Sequence, residues 1–302
     1  MSGSGGSRAV VAALLANLGI AASKFVAFFF TGSSSMLSEG LHSVADSGNQ
    51  VLLMVGRKRA QRAATEEHPF GYGRSRYVYS FVVSIVLFSL GGVFALIEGV
   101  IKVARPEEIQ NPLWAYGVLV IAIALEAFSL RTAVKESNHV RAGVPWSRFV
   151  RAAKAPELPV VLLEDTGALL GLIFALFGVT AAVLTRDGRW DGAGSMAIGA
   201  LLVLIAVFLA LEMNSLLIGE SGTAAHVAAI RKAIEAGAEV ERIIHLKTLH
   251  LGPDNLMVVA KIAVRHDDTA ASVARAIDAA EARIRSAVPI AQVIYLEPDI
   301  LR

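Results

Sequence analysis

The sequence predicts a polytopic α-helical membrane protein with six transmembrane helices and a small C-terminal α+β domain. Three observations predict this fold class: a high apolar content, six long apolar segments, and a return to a soluble composition near the C-terminus. Of the 302 residues, 55% are apolar and only 18% are charged, whereas a soluble domain carries about 25% charged residues. This composition excludes a soluble enzyme and a disordered chain.

Two further features of the composition exclude other classes of protein. The chain has no cysteine, so disulfides, thiolate metal sites, cysteine nucleophiles and iron–sulfur clusters are all excluded. Its formal net charge is +2, which is too small to indicate a nucleic-acid partner. The expected surroundings of most of the chain are therefore lipid.

The predicted membrane domain covers residues 9–218 and follows a flexible start at residues 1–8, which does not resemble a signal peptide. A helix needs about 20 apolar residues to cross the hydrocarbon core. Six segments are assigned as spans on this basis: residues 9–31, 34–56, 78–101, 113–133, 158–184 and 194–218. The second segment is the most polar, and hydropathy alone would miss it.

Basic residues are distributed unevenly between the loops that join the spans. The loops after the second and fourth spans carry twelve: Arg57, Lys58, Arg59, Arg62, Arg74, Arg76, Arg131, Lys135, Arg141, Arg148, Arg151 and Lys154. The opposite loops carry four: Lys102, Arg105, Arg186 and Arg189. The positive-inside rule then predicts that both termini are cytoplasmic.

Residues 219–302 have the composition of a soluble domain, and their pattern predicts the order αββαβ. The predicted helices cover residues 223–236 and 268–287, and the predicted strands cover 241–251, 255–264 and 291–297. A Gly-Pro-Asp-Asn turn separates the first two strands, and Pro289 follows the second helix. This is the order of a ferredoxin-like domain.

Ionisable residues inside the second span indicate a functional site, because each costs at least about 2.5–3.5 kcal/mol at the centre of a bilayer. Glu39, His42 and Asp46 recur at intervals that keep them on one helical face. An imidazole and a carboxylate four residues apart can ligate one divalent cation. A hydrogen-bonded polar seam between helices is the structural alternative.

The fifth span adds Glu164 and Asp165, which lie about 100° apart around a helix, so one of them is expected to face the site. Together with the second span they form a carboxylate cluster that requires a bound positive charge. Glu126 in the fourth span is interpreted as a helix-contact or gating residue, and Lys24 in the first as a snorkelling one.

Motifs for other chemistry are missing from the sequence. The Gly-Tyr-Gly triplet at residues 71–73 resembles a potassium filter, but it lies in a charged loop without a pore-helix pattern. The sequence contains no HExxH motif and no Ser-His-Asp arrangement on plausible loops. Enzymatic activity therefore has no support.

The segments SEGLHSVADSGNQVLLMVG (residues 38–56) and HPFGYGR (residues 68–74), together with six spans and an αββαβ tail, resemble the cation diffusion facilitator family of dimeric divalent-metal transporters. The resemblance covers residues 9–302. The segments LLEDTGALLG and VIYLEPD are most similar to the branch that contains the mitochondrial zinc transporter of animals and its bacterial relatives.

The resemblance implies that the metal ligands are His42 and Asp46 in the second span and Asp165 in the fifth. The family usually has a further histidine or aspartate four residues before the position of Asp165, and this sequence has Val161 there. Glu164 or Glu39 is then the candidate fourth ligand. The transported substrate is expected to be Zn²⁺, while an oxygen-rich site would also suit Mn²⁺, Fe²⁺, Co²⁺ or Cd²⁺. No resident cofactor is expected.

The resemblance also implies that the C-terminal domain forms a homodimer. Relatives that bind metal there use histidines at positions that are Ile244, Ala260 and Tyr295 in this sequence, and only Glu297 keeps a ligand type. The nearby residues His245 and His250 are five apart on one strand, so they face opposite sides. We expect a dimerisation domain without metal.

The leading hypothesis is proton-coupled metal efflux by alternating access, because metal ligands must lose protons in order to bind. A proton or monovalent-cation exchanger is one alternative, although imidazole is a poor Na⁺ ligand. A membrane metal sensor, whose C-terminal domain reports metal occupancy to a partner, is another alternative.

Expected partners are a divalent metal ion, protons, the lipid bilayer and a second copy of the chain. The absence of a transit peptide favours a bacterial inner membrane.

Overall fold

A computed structural model describes the backbone of residues 3–31, 34–106, 112–141 and 143–300. Within these ranges it describes the side chains from residue 8 onward, apart from residues 30–42 and 45. The chain divides into two units. The first comprises Met1–Lys58 and Arg76–Asn214, and the second comprises Arg59–Ser75 and Ser215–Arg302.

The first unit is built from helices. They are α1 (Gly3–Thr31), α2 (Ser34–Ala60), α3 (Ser75–Val86), α4 (Phe94–Ala104), α5 (Pro112–Arg141), the short α6 (Trp146–Ala152), α7 (Glu157–Thr185) and α8 (Arg189–Ile218). A π-helical segment, Leu87–Val93, joins α3 to α4, so that the three form one continuous span. Helix α1 already begins at Gly3, ahead of the predicted span start at residue 9.

Five helices are long and apolar enough to cross a membrane, within the part of the chain that the structure describes. They cover Arg8–Phe29, Ser75–Ala104, Pro112–Arg141, Glu157–Thr185 and Arg189–Ile218. Large side chains such as Leu113 and Leu184 are at least 80% exposed, as expected where lipid replaces water. The protein is therefore an integral, multi-pass membrane protein. Helix α2 has 27 residues, but its polar residues keep it out of this set, and the six-span count stays a prediction.

Glycines let α8 approach the third span closely. A Cβ on Gly92 would lie 2.6 Å from Val203 Cγ2, and one on Gly99 would lie 2.7 Å from the Met196 backbone nitrogen. The same approach is stabilised near the end of α4, where the Lys102 ammonium lies 3.0 Å from carboxylate oxygens of both Glu98 and Asp191. Small residues thus allow backbone packing between helices, as is usual in membrane bundles.

The second unit has the predicted αββαβ order. Its elements are α9 (Ala224–Glu235), β1 (Arg242–Gly252), β2 (Asn255–Val264), α10 (Ala270–Ala287) and β3 (Ala291–Ile300). The sheet order is β1-β2-β3, with β1 antiparallel and β3 parallel to the central strand. Thr223 and Thr269 cap the two helices by accepting hydrogen bonds from backbone nitrogens three residues on.

The core of this unit lies between the two helices and the sheet. Its fully buried side chains include Ile230 and Ile234 from α9, Leu256 and Ile262 from β2, and Ile284 from α10. The alternating burial of β2 follows from strand geometry, since successive side chains point to opposite faces. Each predicted element of this domain is thus present, with ends that differ by at most a few residues.

The loop at Arg59–Ser75 belongs to the second unit, although the sequence placed it in the membrane domain. The reason is a close backbone contact with the β1–β2 turn. A Cβ on Gly73 would lie 2.6 Å from the Leu251 carbonyl oxygen and 3.1 Å from Gly252 Cα. Within the loop, the rings of His68 and Tyr72 meet edge to face at 4.6 Å. The Gly-Tyr-Gly triplet is thus part of a docked turn.

We expect Gly73→Ala to release this loop from the β1–β2 turn. Its new methyl group would meet backbone atoms of Leu251 and Gly252, which cannot move aside as a flexible side chain can, at a cost of about 1–3 kcal/mol. The measurement is the rate of tryptic cleavage at Arg62, which is exposed in the loop. Gly117→Ala is the control, since nothing lies within 4 Å of its added Cβ. Equal cleavage of both variants would show that the loop does not depend on this contact.

Candidate metal centre

Four carboxylates from three helices define the polar interior of the membrane unit. Asp46 lies on α2, Glu126 on α5, and Glu164 and Asp165 lie next to each other on α7. The residues Glu126, Glu164 and Asp165 are 2%, 6% and 2% exposed, whereas Asp46 is partly exposed. Three buried acids in a membrane bundle are costly unless a cation, protons or hydrogen bonds compensate them.

The four carboxylates are close enough to interact electrostatically. Glu126 interacts with Asp165, Glu164 and Asp46, and Glu164 also interacts with Asp46 and Asp165. Helix packing explains the arrangement, because α5 packs against α7 and hydrogen bonds from Asn49 and Gln50 join α2 to Glu164 of α7. The structure therefore brings together Asp46, Glu164 and Asp165 from the sequence prediction and adds Glu126 to them.

Amides from α2 hold the Glu164 carboxylate. Its Oε1 accepts a hydrogen bond of 3.0 Å from Asn49 Nδ2, and its Oε2 accepts one of 3.1 Å from Gln50 Nε2. Gln50 in turn accepts a bond of 3.3 Å from Asn17 of α1. Both carboxylate oxygens of Glu164 are thus already engaged by a network that joins three helices. This arrangement is that of a buried structural anchor, although Asn49 Oδ1 has no hydrogen-bond partner among the described residues.

Asp165 has a simpler environment. Its Oδ2 accepts a hydrogen bond of 2.6 Å from the Ser129 hydroxyl of α5, and the described side chains donate none to its Oδ1. One turn earlier on α7, Val161 is fully buried in the apolar core, where it can offer no ligand. Of the two adjacent carboxylates of α7, Asp165 has one oxygen without a hydrogen bond from the described side chains, whereas each oxygen of Glu164 accepts one.

Glu126 was interpreted from the sequence only as a helix-contact or gating residue. In the structure it is buried beside the other three carboxylates, and the described residues give its side chain no hydrogen bond. The sequence carried one sign of this, since Glu126 is a lone acid near the middle of an apolar span. The partners of a lone acid depend on helix packing, which the sequence does not specify.

The side chains of His42 and Glu39 lie outside the described residues, although both positions belong to helix α2. Their spacing from Asp46 by four and seven residues is a property of the helix and keeps the three on one face. Among the described side chains, no group of three or more His, Asp or Glu residues is arranged to hold a metal ion. The roles of His42 and Glu39 remain predictions.

Lys24 and Ser43 connect α1 to the same region of α2. The Lys24 Nζ donates a hydrogen bond of 3.0 Å to the Ser43 hydroxyl, and Ser47 donates one of 3.0 Å to the Ser43 carbonyl oxygen. The sequence predicted a snorkelling lysine. The structure instead directs this cation to a polar group on α2, three residues before Asp46.

The candidate residues of the C-terminal domain are dispersed. His250 is 1% exposed, with its Nδ1 3.1 Å from the Gly252 carbonyl oxygen, whereas His245 is exposed. Glu297 forms an ion pair of 3.1 Å with Lys261, which also pairs with Asp299 at 3.0 Å. Hydrogen bonds to Asp299 and Glu297 raise the pKa of Lys261. Glu297 is thus engaged by a cation of its own domain.

The described carboxylates of the membrane unit do not by themselves form a coordination site, but their charge is suited to attracting a cation and exchanging it for protons. Carboxylate oxygens attract a hard or borderline divalent cation, and at low pH the same oxygens accept protons instead. A buried cluster of this kind, on helices that cross a membrane, defines a class of protein: a polytopic carrier of cations.

Comparison with known proteins identifies the family. Residues 10–218 match the cation efflux transmembrane domain, so the chain belongs to the cation efflux, or cation diffusion facilitator, family. Members of this family are transporters and not enzymes.

Three relatives illustrate the range of the family. The human mitochondrial proton-coupled zinc antiporter SLC30A9 is 32% identical over 79% of this chain and 42% of its own length. Metal tolerance protein C4 of Arabidopsis thaliana is 28% identical over 84% of this chain and 56% of its own length. The manganese efflux system protein MneP of Bacillus subtilis is 21% identical over 85% of this chain and 83% of its own length. The chain thus spans about half the length of the first two relatives.

Proposed function

We propose that this protein exports a divalent metal cation through the membrane unit in exchange for protons. The observation that carries the proposal is the cluster of buried Glu126 and Asp165 with the partly exposed Asp46, contributed by three helices of the family's transmembrane domain. In the proposed site, Asp46 and Asp165 bind the cation together with His42. Glu164 anchors α2 to α7 through its amide partners, and Glu39 tunes the affinity for the metal.

Proton coupling follows from the chemistry of the ligands. A carboxylate or imidazole must be deprotonated to bind metal, so loading of the metal releases protons and reprotonation favours its release. Glu126 extends this argument, because a carboxylate beside the site can hold a proton when the cation has left. The human relative is named as a proton-coupled antiporter, which supports the same exchange.

Zn²⁺ is the proposed substrate. An imidazole combined with carboxylates suits zinc, and the relatives of human and other vertebrate origin are described as zinc antiporters. The oxygen-rich composition of the cluster also suits Mn²⁺, and the relative from Bacillus subtilis is described as a manganese efflux protein. The choice between these two metals is therefore the first specificity to measure.

We further propose six spans with both termini in the cytoplasm, and a homodimer formed through the C-terminal domain. The basic residues in the loops after the second and fourth spans support this orientation. Exposed apolar side chains on the outer strands, Ile244 on β1 and Tyr295 on β3, support dimer formation. The bacterial relative that matches along most of its length supports a bacterial cell membrane.

Metal uptake into proteoliposomes tests the proposed exchange. With an acidic lumen, we expect Zn²⁺ to enter while the lumen loses protons, because protons leaving down their gradient drive the metal inward. For each proton exchanged per metal ion, a gradient of one pH unit supports about tenfold accumulation of the metal in the lumen. The measurement combines a metal-sensitive and a pH-sensitive dye in the lumen, with Zn²⁺, Mn²⁺ and Co²⁺ offered separately.

One control and two alternative outcomes test the proposal against its rivals. Nigericin, which dissipates the pH gradient in potassium buffer, should abolish accumulation above the external concentration. Movement of protons or Na⁺ without any divalent metal would replace this proposal with a monovalent-cation exchanger. Metal binding without flux would instead identify a membrane metal receptor.

A further inference from the structure

An apolar groove lies among the helices at the end of the membrane unit where α5 ends and α7 begins. Its volume is about 530 Å³, within the range of about 300–1,000 Å³ that is typical of small-molecule sites. Its walls include Leu130 and Val134 from α5, Leu162 from α7 and Phe208 from α8. The one hydroxyl on the α7 wall, that of Thr166, is satisfied by the Leu162 carbonyl oxygen.

The short helix α6 closes one side of this groove and brings polar groups to it. Trp146, Ser147, Val150 and Arg151 of α6 all line the groove, while Phe149 is buried and packs edge to face against Trp146 at 6.2 Å. The Arg141 guanidinium lies 4.3 Å from the centre of the Trp146 ring and donates to the Val144 carbonyl oxygen. Trp146 is therefore held in place at the rim, as an interfacial tryptophan.

The chain segment that contributes to the rim is basic. Residues 141–156 contain four basic residues and no acidic one. The nearby carboxylates of Glu136 and Glu157 already pair with Arg8 and Arg76. In the ranges that the structure describes, the exposed Arg151 has no carboxylate partner. An apolar groove with a cationic rim matches a molecule that has an apolar tail and an anionic head.

We propose that this groove binds an anionic phospholipid. One acyl chain fills the space between α5, α7 and α8, and the headgroup phosphate accepts hydrogen bonds from Arg151 and Ser147. Three observations argue for a phospholipid over a protein segment: the groove opens among membrane helices, a tryptophan stands at its rim, and the basic residues lie on the side predicted to be cytoplasmic. Basic pockets between transmembrane helices on that side are suited to anionic headgroups. None of the four carboxylates of the cluster lines the groove, although Leu130 and Thr166 are chain neighbours of Ser129 and Asp165.

Tryptophan quenching by brominated lipid tests this site directly. The full-length variant Trp114→Phe/Trp190→Phe keeps Trp146 as its one tryptophan. It is reconstituted in phosphatidylcholine that contains increasing fractions of phosphatidylglycerol with brominated acyl chains, or of equally brominated phosphatidylcholine. We expect brominated phosphatidylglycerol to reach half-maximal quenching at about one fifth of the mole fraction that brominated phosphatidylcholine requires. One basic residue near an anionic headgroup supplies a preference of this size.

Matched variants show which part of the groove is responsible. Arg151→Gln should remove the preference, Arg151→Lys should keep most of it, and Val134→Phe should also remove it by filling the groove. Arg105→Gln removes an exposed charge from another loop and should change nothing. Equal quenching by the two lipids in the parent variant would show an uncharged lipid in the groove and overturn the proposal. A preference for phosphatidylglycerol that persists in Arg151→Gln would also overturn the proposal.

Discussion

Substitution of Asp165 by Asn is expected to reduce metal transport at least about 100-fold, the upper end of the loss seen when the supporting partners of metal ligands are altered. Asp165 is buried on α7 with one oxygen engaged by Ser129. The substitution preserves the volume and an acceptor for the Ser129 hydroxyl, and it removes the negative charge that would hold the cation. The measurement is the initial rate of Zn²⁺ uptake into proteoliposomes.

Controls for this variant separate loss of the site from loss of the fold. Asp187→Asn alters a carboxylate in the loop at the other end of α7, where it accepts a hydrogen bond from the Arg189 backbone, and it should transport normally. The elution profile of Asp165→Asn in detergent should match that of the unaltered protein, because a neutral side chain is less costly to bury than a carboxylate. Wild-type rates in both Asp165→Asn and Asp46→Asn would exclude the cluster as the transport site.

Loss of the ion pair between Arg76 and Glu157 is expected to have the largest effect on stability. The two residues join the start of α3 to the first turn of α7, and their side chains are 11% and 5% exposed. Arg76 contacts both carboxylate oxygens, with Nη2 2.7 Å from Oε2 and Nε bonded to Oε1. Glu157→Ala would leave the guanidinium buried without this carboxylate, at a cost of about 3–5 kcal/mol.

The free energy of unfolding in a denaturing-detergent titration measures this cost. The double variant Arg76→Met/Glu157→Leu should recover most of the stability, since replacing both charges with apolar groups removes the desolvation penalty. Glu235→Ala breaks the pair with Arg231 on α9, where both side chains are about half exposed. That exposed pair should contribute no more than about 1 kcal/mol. A similar small loss for Glu157→Ala would refute the structural importance of the buried pair.

The C-terminal domain shows how far local patterns reach. Each predicted helix and strand is present within a few residues of its predicted ends, because periods of two and 3.6 are set by the backbone itself. Strand β3 extends beyond its predicted end at residue 297 to Ile300, where Pro298 and Asp299 discourage a strand assignment. Pairing with β2 across Ile262 and Ala263 supports these last residues.

The carboxylate site shows where sequence reasoning ends. Acids in apolar spans are conspicuous because burial is costly, so Asp46, Glu164 and Asp165 could be named from the sequence. Nothing in the sequence indicated that Asn49 and Gln50 would occupy both oxygens of Glu164. These amides are more than a hundred residues away along the chain, and only the packing of α2 against α7 brings them near.

The sequence by itself determined the membrane character of the chain, the order of its C-terminal elements and which acids lie within its apolar spans. These properties follow from composition and local periodicity, which the folded state cannot alter. Tertiary structure decided that Glu126 joins the cluster, that Glu164 is held by amides, and that Gly73 docks against Gly252 in the second unit. Each of these depends on contacts between residues far apart in the chain, whose geometry is set by packing of whole helices and strands.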